Sequence, residues 1–438
     1  MRFAGFRRLA SFPGRANTLT TAWAFLSWVA VALAFRATVA IVAGPALARA
    51  EGAGFAEDGS AYYLPLARSL WEGQGFLNTS GEPSAHHMPG YPLLITAARW
   101  VTPSFPAAIL TVQVLFGSLA VGFVFLLSAS LFSRRAAHAS AAVALVWPDL
   151  VIFGLLNLSD TPFLCVTLCG AWILGRLLDR GRPGLAILLG LLCGFGTLLR
   201  ESMISFTGAW VLAVLLLPGD RSPWRRALNG LLLIATMCLV LVPWWVRNAA
   251  TFGEFIPLTT KGAGNIYVGT LIRPYYFSDA RNDAVPLEPA ARAREEAVTA
   301  RAHEARSSRD EDRILLGAAL DNVRRAPLEQ LAHLGRKTYW LWQPNIGPRH
   351  ADRVGMAPVL WLIAVSHWLL VLAGLAGLWL LRRDRRAVLT LALPFLVVTL
   401  FHAVVGIGEP RYHLPLVPIL IVAAAPVLLR LVRRETAS

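Results

Sequence analysis

The 438-residue chain has almost no lysine and little charge of either sign. Only Lys261 and Lys337 occur, and charged residues make up 15% of the sequence against 56% hydrophobic ones. That balance excludes an ordinary soluble domain, because too little polar surface exists to cover the apolar remainder. Cysteine is scarce as well. Cys165, Cys169, Cys193 and Cys238 all sit inside apolar runs with no histidine beside them, which argues against a disulfide framework or a cysteine-based metal site. No internal repeat is visible, and low complexity is limited to the alanine and arginine enrichment from Ala290 to Arg306.

What is present is apolar runs punctuated by arginine. A bilayer core needs about 20 apolar residues per helix. Runs of this kind fall near 20–42, 106–132, 138–155, 161–178, 184–199, 203–217, 228–246, 357–381, 387–404 and 412–431, predicting ten spans. The first ends in Ala46-Leu47-Ala48, which resembles a signal-peptidase site, but its length and the spans that follow favour an uncleaved anchor. The run Tyr91–Val101 is too short to cross; it is expected flat on the interface or as a partial helix, with an eleven-span topology as the alternative. The net charge of +15 does not point to nucleic acid, since the basic residues form short clusters between apolar runs. Arg2, Arg7, Arg8 and Arg15 precede the first span. Arg134 and Arg135, Arg180 and Arg182, Arg221, Arg225 and Arg226, Arg382 to Arg386, and Arg433 and Arg434 fill every second connection. By the positive-inside rule both termini are expected in the cytoplasm of a multi-pass plasma or inner-membrane protein.

This topology divides the chain into an N-terminal membrane region, 1–246, with a first outer loop at 44–106; an outer helical region, 247–356; and a C-terminal membrane region, 357–438. The outer region looks helical from Leu287 to Trp342, punctuated at Pro327, with Tyr339, Trp340 and Trp342 as an interfacial aromatic anchor. Asp58, Asp160, Glu201, Arg200, Arg247, Glu254, Lys261, Glu409 and Arg411 all map to outer loops or helix ends. Any charge avoids hydrocarbon, but that alone does not explain why acids gather at outer ends while inner connections hold mainly arginine. Just after the first span, Glu57-Asp58 precedes a predicted amphipathic helix with Tyr62, Leu66 and Leu70 on one stripe. Such a segment would hold carboxylates at the boundary of water and lipid, where a reagent with a polar head and a lipid tail presents itself.

These residues resemble the first outer loop of bacterial family 39 glycosyltransferases, in the GT-C superfamily with protein O-mannosyltransferases and lipid A aminoarabinose transferases. Asp58, Tyr62, Ala67, Gly73, Gly75, Phe76 and the run Pro89-Gly90-Tyr91-Pro92-Leu93 fit the pattern. So do Asn248 to Gly269, containing Asn265 and Tyr267, and Glu409-Pro410-Arg411-Tyr412-His413 before the last span. The sequence departs from it at His87-Met88 and at Lys261. The resemblance implies an all-α polytopic GT-C-like bundle of about 10–11 transmembrane helices with outer amphipathic helices. It also implies inverting transfer from a polyprenyl-phosphate sugar to an acceptor hydroxyl on a glycan, lipid or protein. A carboxylate must take the hydroxyl proton, and cations must stabilise the departing phosphate. Asp58 is the expected base with Glu57 as substitute; Arg411, Arg200, Arg247 and Lys261 are expected at the phosphate. Tyr62, His86, His87, Tyr91, Asp160, Asn265, Tyr267, Glu409 and Tyr412 are expected around the substrates. No cofactor is firmly implied, and no metal ligand set stands out; a divalent cation is compatible with the chemistry. Three other readings fit the spans: a lipid-linked-sugar transporter, an O-antigen ligase or polymerase, and a non-catalytic scaffold. A transporter is disfavoured by the lack of internal repeats and midplane charges.

Overall fold

The computed structural model describes residues 18–50, 58–216, 222–273, 289–305, 307–347 and 356–435. Among them helices account for nearly all regular structure, and pairing of extended chain is limited to an antiparallel bridge between Leu77 and Pro83. The N-terminal helices are α1 (Thr18–Ala50), α2 (Leu64–Trp71), α3 (Gly90–Arg99), α4 (Phe105–Leu131), α5 (Arg134–Val146) and α6 (Pro148–Ile152). Then follow α7 (Asp160–Arg180), α8 (Pro183–Leu199), α9 (Met203–Leu216), α10 (Pro223–Phe252) and α11 (Gly262–Gly269). The C-terminal part holds α12 (Pro289–His303), α13 (Ser308–Arg325), α14 (Pro327–Leu341), α15 (Ala357–Leu380), α16 (Arg385–Val404) and α17 (Val417–Glu435). A 3-10 turn, Pro410–Leu416, leads into α17.

The chain is an all-α polytopic membrane protein. Among the described residues, seven helical segments are long and apolar enough to cross a bilayer: Leu19–Ala43, Phe105–Leu131, Asp160–Arg180, Pro223–Phe252, Ala357–Leu380, Arg385–Val404 and Pro410–Leu429. The other three predicted spans differ from expectation. Two form shorter apolar helices, Pro183–Leu199 and Met203–Leu216. The third, expected over 138–155, is broken at Trp147, whose ψ of 123° is extended. Pro148 explains the break, because proline clashes with a helical predecessor and supplies no N–H to the preceding turn. Tyr91–Val101 becomes the ten-residue α3, too short to cross. The segment expected to be helical before Trp342 is divided into α12, α13 and α14, with Pro327 opening the last of these.

Helix ends follow local chemistry. Ser104 and Ser133 cap α4 and α5 by accepting from the amides of Ala107 and Ala136, and Gly181 and Gly253 close α7 and α10 in the left-handed region. In lipid, helix contact depends on fit more than on hydrophobic drive, so small residues matter at crossings. Gly190 and Gly194 on α8 illustrate it: a Cβ at the first would collide with the Leu233 carbonyl and Thr236 of α10, and one at the second with Met237 and Val240. The main core spans α3, α4, α7, α8, α9, α15, α16 and α17, centred on side chains such as Phe163, Phe206, Trp210 and Leu420.

Candidate active site

Asp58 introduces a single π-helical turn, Gly59–Tyr63, that runs directly into α2. The wider turn rotates the following side chains relative to a plain α-helix. As a result Tyr62 is exposed while Tyr63, Leu66 and Ala67 face the core, so the expected stripe keeps Leu66 but takes Tyr63 in place of Tyr62. Gly59 permits this placement, since a Cβ there would meet the Asn157 backbone and side chain. A relay of amides fixes the turn from below. Gln113 donates to the Tyr91 hydroxyl (2.8 Å) and the Leu158 carbonyl (2.6 Å), Tyr91 donates to Asn157 Oδ1 (3.1 Å), and Asn157 Nδ2 donates to the Gly59 carbonyl (2.8 Å). Tyr63 joins the same layer through its hydroxyl, 3.1 Å from Ser159 Oγ. Each member is buried, where linked hydrogen bonds favour one geometry over its alternatives.

Three ion pairs gather around this turn. Asp58 Oδ2 lies 2.6 Å from Arg411 Nη1, Asp160 Oδ2 lies 2.7 Å from Arg200 Nη1, and Glu201 Oε1 lies 3.5 Å from Lys261 Nζ. Asp160 is 2% exposed, whereas Asp58 and Arg411 retain 27% and 28% and Glu201 and Lys261 retain 30% and 25%, so these two pairs are open to a reactant. Tyr412 sits among the cations. The Arg200 guanidinium lies over its ring at 5.5 Å, Arg411 lies over it at 5.7 Å, and the His402 ring stacks on it at 4.8 Å. Burial would raise the Asp58 carboxyl, but the Arg411 charge and hydrogen bond, aided by Lys261, hold it down at about 2. Burial, with Lys261 and His86 adding to it, pushes His87 down to about 2, so its imidazole is neutral. Its ring packs on Tyr62 at 4.6 Å and on Tyr63 at 5.3 Å, while His86 lies 4.9 Å away, edge-on.

Asp58, Arg411, Arg200, Asp160, Lys261, Tyr412, Tyr62, His86 and His87 therefore converge, with Tyr91 one layer below. Glu409 stands two residues before Arg411, at the start of the 3-10 turn, and its carboxylate adds to the field on Arg411. Asn265 lies one turn after Lys261 on α11. Two residues go elsewhere. Arg247 donates to the carbonyls of Ser84 (2.7 Å) and Phe76 (3.2 Å) and lies over the rings of Phe76, Trp244 and Phe252, tying the first loop to α10. Tyr267 packs with Ala302, Leu315 and Ala319 and borders a separate cleft of about 880 Å³ beneath α12 and α13. Glu57 lies outside the described residues. Gln113, Asn157, Ser159 and His402 were not anticipated; an amide or imidazole inside an apolar run is the signal that marks the first and last of them.

Residues 86–246 match the sequence profile of the dolichyl-phosphate-mannose-protein mannosyltransferase family. No curated protein matches the chain by sequence. In fold it is similar to the apo oligosaccharyltransferase of Archaeoglobus fulgidus, at 13% identity and a TM-score of 0.52, over 94% of this chain and 51% of that one. It is likewise similar to AglB from the same organism in complex with an inhibitory peptide and a dolichol-phosphate, at 14% identity and a TM-score of 0.50, over 94% and 52% of the two chains. The chain thus spans about half the length of these oligosaccharyltransferases. A looser likeness joins it to ArnT from Cupriavidus metallidurans bound to undecaprenyl phosphate, at 17% identity and a TM-score of 0.44, over 88% and 78%.

In fold the chain thus resembles these oligosaccharyltransferases over about half of their length, and one segment of it matches the mannosyltransferase profile. The profile-matched segment contributes His86, His87, Tyr91, Asn157, Asp160, Arg200 and Glu201 to the cluster. Asp58, Lys261 and Arg411 come from outside that segment, and the fold brings them to it.

Proposed function

We propose that this protein is a glycosyltransferase that moves a sugar from a polyprenyl-phosphate-linked donor to an acceptor hydroxyl on a glycan, lipid or protein, with inversion, at the extracytoplasmic face of the membrane. The observation that carries the proposal is the half-exposed Asp58–Arg411 pair flanked by Arg200 and Lys261. The acceptor hydroxyl attacks the anomeric carbon, its proton passes to Asp58, and the bond to the phosphate oxygen breaks. The electron pair leaves with the prenyl phosphate, whose growing charge the guanidiniums and the ammonium stabilise. Attack and departure on opposite sides of one carbon invert it. A phosphate leaving group needs little protonation, so the second requirement is positive charge and not a second catalytic carboxylic acid. A dolichol-phosphate bound to AglB, a protein of the same fold, is a ligand of the required type.

The ion pair also explains how the base is controlled. A carboxyl held at about 2 is a poor proton acceptor. When the donor phosphate enters, it competes for Arg411 as a stronger, bidentate acceptor. Asp58 then loses the partner that depresses it, burial dominates, and its basicity rises only while the donor is in place. Acid at the site without donor leaves no activated base to misfire. The location at the extracytoplasmic face is supported by the arginine pattern, with Arg134, Arg180, Arg382 and Arg386 in the alternate connections.

The test is comparison of membranes with and without the chain, by mass spectrometry of lipid-linked sugars and of surface glycans. Loss of the chain should cause one polyprenyl-phosphate sugar to accumulate and one glycan residue to disappear. Unchanged lipid-linked sugars and unchanged glycans would overturn the proposal. Accumulation with the donor trapped on the cytoplasmic side would favour a transporter.

A further inference from the structure

Behind the cationic site lies a second cluster that sugar transfer does not use. Asp149 on α6, His367 near the middle of α15 and His413 on the 3-10 turn each offer one ligand atom, all within 4.8 Å of one another. Their exposures are 2%, 1% and 0%. A neutral imidazole has one N–H and one lone pair, and a backbone carbonyl can only accept. His413 Nδ1 lies 2.6 Å from the Leu341 carbonyl, so it carries the proton and Nε2 holds the lone pair. His367 Nε2 lies 2.9 Å from the Trp342 carbonyl, which leaves its lone pair on Nδ1, 3.9 Å from Asp149 Oδ2. Asn345 stands at the cluster too, with its amide 3.3 Å from His413 Nε2.

From this geometry we infer that Asp149, His367 and His413 bind a structural zinc ion. Two imidazoles, each anchored through its other nitrogen by a carbonyl, together with one carboxylate, form the donor set and the outer hydrogen-bonding that zinc takes. Imidazole nitrogen disfavours magnesium and calcium, which take oxygen. Bonds of about 2.0–2.2 Å to a tetrahedral ion place neighbouring ligand atoms roughly 3.3–3.5 Å apart, so the widest separation closes by little more than an ångström on binding. The Asn345 amide, turned to present its oxygen, occupies the fourth position. The ion is structural because the ligands are buried away from the open Asp58–Arg411 pair. It joins α15 to two elements that set that pair: α6, whose following loop carries Asn157 and Ser159, and the 3-10 turn, which carries Arg411.

The full chain is purified through an affinity handle that contains no histidine, in nanodiscs, without chelator, and assayed for metal by mass spectrometry. The expected result is about one zinc per chain, falling at least fivefold in His367→Gln and Asp149→Asn. Replacement by Co²⁺ in the native chain should give the visible absorption of a tetrahedral site, a readout that does not require any variant to fold. A chelator should lower the melting temperature and Zn²⁺ should restore it. Absence of zinc combined with failure to take up Zn²⁺ or Co²⁺ would overturn the inference and leave a metal-free Asp149–His367 ion pair. Equal zinc in the native chain and both variants would overturn it as well. Neither outcome bears on sugar transfer, which rests on Asp58 and Arg411.

Discussion

The two ends of α7 both use arginine, yet only one of them belongs to the proposed site. At the C-terminal end Arg386 pairs with Asp179 at 2.9 Å, Arg226 donates to the Leu215 carbonyl at 3.2 Å, and Asn229 donates to the Gly181 carbonyl at 3.4 Å. These contacts close helix ends and connections. At the N-terminal end Arg200 meets Asp160, Arg411 meets Asp58, and both guanidiniums lie over Tyr412. The acids differ most: Asp179 is 35% exposed, Asp160 only 2%. Arginine at a helix end is common and mostly anchors to water or headgroups. A guanidinium held by an acid and over an aromatic face is oriented, and orientation is what recognition of a phosphate requires.

Breaking the site end at its carboxylate has the largest expected effect. Asp58→Asn keeps the shape of the side chain but cannot take a proton, so turnover should fall by about 10²- to 10⁴-fold while the protein remains folded. Single-turnover transfer with purified protein, beside a melting curve, measures both. Undiminished turnover in a folded Asp58→Asn protein would remove the carboxylate from the mechanism.

Replacing the cation sharpens the comparison further. Arg411→Gln removes a charge-assisted contact, for which a donor KM rise of roughly 10- to 100-fold is expected. It also changes the pH profile. In the native enzyme Asp58 is held at about 2, so the ionised base is present throughout the working range and kcat/KM should be flat down to about pH 4. Without Arg411, burial wins and the carboxyl rises above its ordinary value of 3.8, so the acid limb moves up into the accessible range. Stability follows the same sign. A depressed carboxyl stabilises the fold above its unfolded value, near 4, and that contribution disappears as pH falls toward 2; Arg411→Gln should lack it. An acid limb at the same pH in both proteins would show that Arg411 does not control Asp58.

Asp58, Arg200, Lys261 and Arg411 were all legible as charged residues at helix ends that ought to share one site, and the helical, membrane-spanning character of the chain was legible from its apolar runs. Which acid holds which cation was not. Asp58 and Arg411 lie at opposite ends of the chain, and no local pattern encodes their meeting. The displaced stripe, with Tyr63 inward where Tyr62 was expected, depends on a π turn that Asn157 holds through the Gly59 carbonyl, a contact across nearly a hundred residues. Arg247 shows the reverse error. By position it resembles a phosphate ligand, and only the carbonyls of Ser84 and Phe76 reveal that its guanidinium is committed to the scaffold. Pro148 was readable in principle, since a proline within a predicted span foretells the break at Trp147.

The smallest expected effect is at the far end of α7, and it tests the comparison because it should be nearly silent. Asp179→Asn removes the carboxylate from Arg386, but both groups reach water, with side-chain exposures of 35% and 17%. Solvent screens such a pair, and its loss should cost about 1 kcal/mol or less. At the start of α16 Asp384 caps the turn by accepting from the amides of Arg386 and Ala387, so the helix start does not depend on Asp179. Donor KM and the pH profile should match the native enzyme, with only a small shift in melting temperature. A rise in donor KM comparable to that of Arg411→Gln would mean that the two ends of α7 are coupled, and that a guanidinium held between an acid and an aromatic ring is not what separates a substrate site from a structural one.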